Sequence, residues 1–135
     1  ELSRPMVRFW LNRIMELCKK ENIAVLFVGI PTPLNWNYAR HNEVNEYALS
    51  QGVTFLDMNL LVKELQIDWK TDSMDGGDHL NLSGARKVTK YLGNYLKENY
   101  KLTDQRENPM YQHWNRDYEK YKEMVEKQAA KSGDF

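Results

Sequence analysis

The segment from Asp72 to Ala85 holds the residues whose types and spacing are best suited to chemistry. It places His79 on a loop rich in carboxylates and glycine, directly before a predicted helix. A general base needs an imidazole that titrates near neutral pH and a carboxylate that fixes its tautomer. Because Asp75 and Asp78 lie close to His79 in the sequence, the segment predicts a histidine–carboxylate pair.

The same segment resembles the last motif of the SGNH (GDSL-like) esterase and acyltransferase family, Asp-x-x-His-x-x-x-x-Gly, which precedes the final helix of that fold. His79 and Gly84 match its His-x-x-x-x-Gly part. The resemblance implies that residues 1–100 are part of a three-layer α/β/α sandwich with parallel strands. It also implies that His79 is the base of a serine esterase or O-acetyl transferase acting on esters, such as acetylated carbohydrates.

The acid that orients the histidine is less directly matched. The family's aspartate stands three residues before its histidine, and that position is Gly76 here. We favour Asp75, because Gly76 and Gly77 can form a bulge that lets its side chain reach the imidazole. Asp78 is the second choice, since an adjacent side chain in extended backbone points to the opposite side.

The family's nucleophilic serine and the glycine and asparagine of its oxyanion hole belong to blocks that this sequence does not contain. None of its serines stands at a comparable strand-to-turn junction. They are Ser3, Ser50, Ser73, Ser83 and Ser132. We therefore expect the C-terminal half of a catalytic domain, inactive alone, and a start without methionine agrees with a piece of a longer chain. Its partner would be the missing N-terminal part or another chain.

Other interpretations of these residues stay open. His79 is alternatively a surface histidine beside turn and capping residues, or it joins Asp75 and Asp78 in a metal site. Asp75 alone is equally well explained as a turn residue or a carboxylate near a helix start. The remaining candidate ligands lack the spacing to complete a metal site: Cys18, His41 and His113. We expect no metal and no cofactor.

Open α/β sheets bind ligands beyond the carboxyl ends of their strands. The loops Pro31–Tyr38 and Asp72–His79 are therefore expected to flank the site. Trp36 lies in the first loop and is either a substrate-binding platform for a sugar or acyl group or an anchor packed on the fold. The alternative function is a non-catalytic α/β module that binds a glycan or a protein.

Apolar periodicity predicts the elements that position these loops. The predicted order is an amphipathic helix over 7–18, a strand over 23–30, a helix over 37–51 closed by Gly52, a strand over 53–57, a short helix over 60–65, a polar loop over 66–78, a long helix from 82 capped by Asn81 or Ser83, and a last helix opened by Asn108-Pro109. The strand over 23–30 lacks polar alternation, which is typical of a central parallel strand covered on both faces. Because two strands make an incomplete sheet, we expect its neighbours elsewhere.

Composition excludes several function classes. The 135 residues carry 19 basic and 19 acidic side chains, so a strongly basic surface for nucleic acid is not expected. The longest apolar run, Ile23–Ile30, is far shorter than the roughly 20 residues of a membrane-spanning helix. A single cysteine, Cys18, excludes an intramolecular disulfide.

Residues 101–135 are predicted to form a helical C-terminal extension. Aromatic residues repeat along it at helical spacing and pack either on their own domain or on a partner. The stripe consists of Tyr111, Trp114, Tyr118, Tyr121 and Val125. Proteins of the family that the sequence resembles are often exported or attached to the bacterial cell envelope, so the resemblance implies that location.

Overall fold

The computed structural model describes residues 4–132, with side chains described through residue 128. The fold is mixed α/β, 60% helical, with short strands. Its helices and strands are α1 (Pro5–Lys20), β1 (Leu26–Gly29), α2 (Tyr38–Gln51), β2 (Thr54–Asp57), β3 (Ser73–Met74), β4 (His79–Leu80), α3 (Leu82–Asn99) and α4 (Gln112–Ser132). The chain divides into two compact units between Tyr95 and Leu96, inside α3, whereas the sequence analysis predicts the boundary at residue 100.

Strands β1 and β2 form a parallel pair, with Leu26 opposite Thr54 and Gly29 opposite Asp57. The prediction of two parallel strands is confirmed. The first strand is shorter than predicted because the Ile23 N–H still donates to a carbonyl at the end of α1. Its expected burial on both faces is not found in the described residues: three of its four residues are half-buried, and no strand besides β2 pairs with it.

Helix α2 forms where the sequence predicts it. The side chain of Asn37 caps its first turn by accepting a hydrogen bond from the Arg40 N–H, and Gly52 ends it with a left-handed φ of 68°. Buried Tyr47 donates its hydroxyl to Asn12 Oδ1 at 2.8 Å. That bond links α2 to the predicted amphipathic helix α1.

The segment after β2 differs from the sequence prediction. Its short helix is a 3-10 turn over Met58–Leu61 that starts early because the Asp57 carboxylate accepts a hydrogen bond from the Asn59 N–H. The predicted polar loop contains the hairpin of β3 and β4, in which Met74 lies opposite His79. Two-residue strands are too short to show a periodicity in sequence.

Buried Asp72 ties this loop to α3. Its carboxylate accepts hydrogen bonds from Lys87 Nζ at 2.5 Å, the Asp68 N–H at 2.8 Å and the Ser83 hydroxyl at 2.7 Å. The hydrogen bond from Lys87 has the largest effect on its pKa, which falls to about 2 although burial opposes the shift. The side chain is therefore a carboxylate throughout the neutral range.

The start of α3 depends on Asn81 and Gly84. The Asn81 side chain accepts a hydrogen bond from the Gly84 N–H at 3.1 Å, so Asn81, and not Ser83, is the cap. A Cβ at Gly84 would lie 2.3 Å from the Asp72 carbonyl oxygen. The glycine of the His-x-x-x-x-Gly pattern thus permits α3 to pack against the segment that leads to His79.

The largest buried cluster of the first unit lies between the strands and α3, and among the described residues of α1 Met15 alone is buried. Met58, Leu65 and Val88 are buried there among half-buried apolar side chains. By contrast, large apolar side chains of α1 are 42 to 73% exposed. They are Met6, Val7, Phe9, Trp10, Ile14 and Leu17. The amphipathic face of α1 is therefore uncovered by the described residues.

The second unit begins its last helix with a 3-10 turn over Pro109–Tyr111, capped by the Asn108 side chain, and continues as α4. The predicted helix start is confirmed, but its first turn is tighter than an α-helix. Aromatic side chains along it are exposed: Tyr111, Trp114, Tyr118 and Tyr121. Within residues 4–132 no helix is long and apolar enough to cross a membrane.

Two glycines of α3 provide a matched test of the packing at its start. Gly84→Ala should lower the free energy of unfolding by about 2 kcal/mol, because the new methyl group collides with backbone. Gly93→Ala, where a Cβ meets open space, should raise it by about 0.5 to 1 kcal/mol through helix propensity. Urea unfolding monitored by circular dichroism measures both, and equal effects of the two variants would contradict the close approach.

Asp72→Asn should lower the free energy of unfolding by about 2 kcal/mol at pH 7, since it removes the charge of a buried carboxylate that accepts a hydrogen bond from half-buried Lys87. Because the folded pKa is lowered to about 2, from an unfolded value of about 3.9, the stabilisation is complete above pH 4 and lost as the pH falls towards 2. Asp104→Asn, which breaks an exposed pair with Arg106, is the control and should leave Tm unchanged. If the difference in free energy of unfolding between the unaltered protein and Asp72→Asn stays constant as the pH falls towards 2, this role of Asp72 is refuted.

Candidate functional site

The structure brings His79 and Asp75 together on the surface. His79 Nδ1 lies 3.1 Å from Asp75 Oδ2, and the side chains are 67% and 65% exposed. Asp78 is the more distant carboxylate, with its Oδ2 3.8 Å from the same nitrogen. Exposed ion pairs contribute little to stability, so folding alone gives little reason for this arrangement.

The backbone between the two partners turns sharply. Asp75, Gly76 and Gly77 have φ values of 54°, 67° and 102°. Glycine adopts such values without strain, and aspartate is among the few other residues that tolerate the left-handed region. This 3-10 turn brings the Asp75 side chain back towards the His79 ring.

Asp78 is hydrogen-bonded to the neighbouring loop, which follows β1. Its Oδ1 accepts a hydrogen bond from the Asn35 side-chain amide, and a Cβ added at Gly77 would lie 3.1 Å from the Pro33 ring. The loop after β1 therefore contacts the loop that carries His79. The two loops lie side by side, as expected from the position of the carboxyl ends of β1 and β2.

A second histidine–carboxylate pair lies at the carboxyl end of β2, and sequence reasoning missed it. His41 Nδ1 of α2 is 2.7 Å from Asp57 Oδ2, and the side chains are only 20% and 2% exposed. The same oxygen accepts a hydrogen bond from Trp36 Nε1 at 2.8 Å. Asp57 Oδ1 accepts two more from Asn59, through the backbone N–H and the side-chain amide.

These hydrogen bonds set the charge state of the pair. Burial raises the pKa of Asp57, but the bonds from Asn59, His41 and Trp36 together lower it below its usual value. Asp57 is thus an ionised carboxylate that can only accept hydrogen bonds, so His41 Nδ1 must carry the hydrogen. In the neutral ring Nε2 is then an acceptor, and it has no partner among the described residues.

Gly29 makes room for this carboxylate. A Cβ at this position of β1 would lie 2.7 Å from Asp57 Oδ1, so only glycine lets the strand pass so close. Asn59 completes the junction by donating to the Ile30 carbonyl and accepting from the Thr32 N–H. The loop after β1 is thereby fixed to the 3-10 turn that follows β2.

A cleft of about 270 Å³ opens beside this pair. Its walls are mostly aromatic and amide side chains: Thr32, Pro33, Trp36, Asn37, Tyr38, His41, Asn59, Leu60, Val62 and Trp69. Trp36 lines the cleft while its indole is anchored on Asp57 and packs edge-on against Phe55. It is therefore an anchor, and it also forms part of a cavity wall. His79, Asp75 and Asp78 do not line this cleft.

One sequence signal pointed to the missed pair. Asp57 ends a predicted parallel strand, at the edge of the sheet where ligands bind, and Asn59 follows at capping distance.

The structure shows no metal-binding geometry at the predicted site: among the described residues, no group of three or more histidine, cysteine, aspartate or glutamate side chains is placed to hold a metal ion.

Comparison of the chain with models of protein families, with curated proteins and with solved structures found no match.

Asp57→Asn should lower the free energy of unfolding by about 2 to 3 kcal/mol, because one acceptor oxygen becomes a donor and two of the four hydrogen bonds are lost. Urea unfolding measures this effect, with Asp104→Asn, whose side chain is 57% exposed, as the control. Nitrogen-15 NMR of the imidazole tests the proton assignment: the hydrogen should reside on Nδ1 of His41 in the unaltered protein. Finding it on Nε2 in the neutral ring would contradict the described geometry.

Proposed function

We propose that this chain supplies the histidine base and its orienting carboxylate to a serine esterase or O-acyltransferase of the SGNH type. The observation that carries the proposal is the pairing of His79 Nδ1 with Asp75 Oδ2 at 3.1 Å on an exposed loop. That pairing uses the histidine expected from the motif and leaves Nε2 for a reacting group. Asp75 is proposed as the orienting acid because it is nearer than Asp78.

In this mechanism His79 Nε2 accepts the proton of a serine hydroxyl as the serine oxygen attacks the ester carbonyl. The tetrahedral intermediate collapses, the bond to the alcohol oxygen breaks, and the imidazolium returns its proton to that oxygen. A water molecule or an acceptor hydroxyl then attacks the acyl-serine while His79 takes its proton. The bond from the acyl carbon to the serine oxygen breaks, the imidazolium returns the proton to that oxygen, and the acid or the new ester leaves. Asp75 keeps the ring in the required tautomer and stabilises its charged form.

The nucleophile is proposed to come from outside the described residues. The Ser50, Ser73 and Ser83 hydroxyls each donate to another group of the fold, namely Tyr47, Trp69 and Asp72. We therefore assign the serine and the oxyanion donors to a further segment or a second chain.

Uncovered apolar surface supports that assignment. An apolar groove of about 450 Å³ runs along β1 and includes Leu11 of α1 and Phe55 of β2. The other edge of β1 has no pairing strand among the described residues. Additional parallel strands would pair with this edge and cover the apolar face of α1, which would complete a three-layer sandwich.

The substrate class follows from the resemblance alone. We propose an ester of a small molecule or carbohydrate, such as an O-acetylated sugar, and a location at the cell envelope or outside the cell. Hydrolysis and acyl transfer need the same base, so both use His79 in the same role.

Ester hydrolysis by the full-length protein tests the base and its acid. His79→Ala should lower kcat by about 10³-fold or more, and Asp75→Asn should lower it by at least about 10²-fold by releasing the ring. Asp78→Asn is the matched control and should have a much smaller effect. A phosphonate that reacts with activated serines should label the unaltered protein.

Unchanged hydrolysis after His79→Ala would refute the base, and a larger loss with Asp78→Asn than with Asp75→Asn would reassign the acid. If the phosphonate does not label the protein and no ester is hydrolysed, the esterase proposal fails. The remaining function would then be a binding module for a glycan or a protein.

A further inference from the structure

We propose that the cleft beside His41 binds an uncharged ring that carries hydroxyl groups, namely a sugar residue, and that His41 Nε2 accepts a hydrogen bond from one of those hydroxyls. His79, Asp75 and Asp78 do not line this cleft. Sugar binding here requires neither His79 nor a serine nucleophile, so it stands independently of the proposed esterase function.

The lining of the cleft fits such a ligand. Trp36, Tyr38 and Trp69 contribute aromatic surface, and the described residues that line the walls include no lysine, arginine, aspartate or glutamate. Aromatic rings pack against the apolar faces of flat ligands, while a wall without charge gives no advantage to an ion. At about 270 Å³, the cavity is at the small end of ligand pockets, which suits a single ring.

The cleft also offers both kinds of hydrogen-bonding group that a hydroxyl needs. The Thr32 and Tyr38 hydroxyls and the Asn37 amide can donate, and His41 Nε2 can accept. Asn59 is not available in this way, because its side chain already bonds to Asp57, Ile30 and Thr32.

His41 is held in place before any ligand arrives. Its Nδ1 is bonded to Asp57, and its ring lies 5.6 Å from the Phe55 ring. Because Asp57 also holds Trp36, one buried carboxylate orients the polar and the aromatic wall together. A preorganised wall reduces the entropy that binding would otherwise lose.

The test is titration of the full-length protein with methyl β-glucoside, methyl β-galactoside and N-acetylglucosamine, with glucuronate and glucosamine as charged analogues. We expect at least one uncharged sugar to shift the His41 ring signals in NMR and to quench tryptophan fluorescence, both saturably. The charged analogues should bind more weakly. His41→Phe and Trp69→Ala should each weaken binding by about tenfold or more.

The matched controls are His113→Phe and Trp114→Ala, which change the same residue types on exposed positions of the second unit and should leave affinity unchanged. Circular dichroism confirms that each variant is folded, and the titration of the unaltered protein decides the outcome if one is not. No saturable response to any of the uncharged sugars would overturn the proposal. So would binding that leaves the His41 ring signals unmoved, or tighter binding of a charged analogue. Ester hydrolysis is not measured, so this result is distinguishable from failure of the proposed function.

Discussion

The position of His79 depends on a buried carboxylate that never contacts it. Asp72 joins Lys87 and Ser83 of α3 to the loop that precedes β3, and its backbone carbonyl accepts the Asn81 N–H at the start of the helix. The chain between Asp72 and Asn81 consists of the β3–β4 hairpin and its turn. His79 is therefore presented from a short, fixed segment, although the side chain itself is exposed.

The two histidine–carboxylate pairs differ in their exposure to solvent. His79 and Asp75 lie in solvent, where water screens their attraction and the ring nitrogen opposite the carboxylate is accessible. His41 and Asp57 are largely withdrawn from solvent, and the carboxylate is held by four hydrogen bonds. These bonds fix Nδ1 of His41 on Asp57, and Nε2 is the ring nitrogen without a hydrogen-bond partner among the described residues. His41 lines a cleft within the described residues, whereas the His79 pair lies on open surface.

Local features of the sequence were sufficient to predict much of the fold. The bounds of α2 could be predicted because Asn37 caps its start and the left-handed Gly52 ends it, and both act within one turn of the helix. The partners Asp75 and His79 were found for the same reason, since they are four residues apart. His41 and Asp57 were missed because a helix and a strand, separated by 16 positions, meet only in the folded chain. The exposure of the apolar face of α1 could not be predicted either. Amphipathicity indicates that one face of a helix should be buried, but it does not indicate which residues cover that face.

That uncovered face of α1 also bears on the colloidal behaviour of the chain. Equal numbers of acidic and basic side chains give a net charge of zero at pH 7 and an isoelectric point near 7.1. Charge repulsion between molecules is then weakest at the pH of most buffers. Where no further segment covers α1, its apolar side chains would contact those of another molecule at this pH, and added salt that is excluded from protein surfaces would strengthen the attraction. A buffer well away from neutrality opposes it by giving every molecule a charge of the same sign.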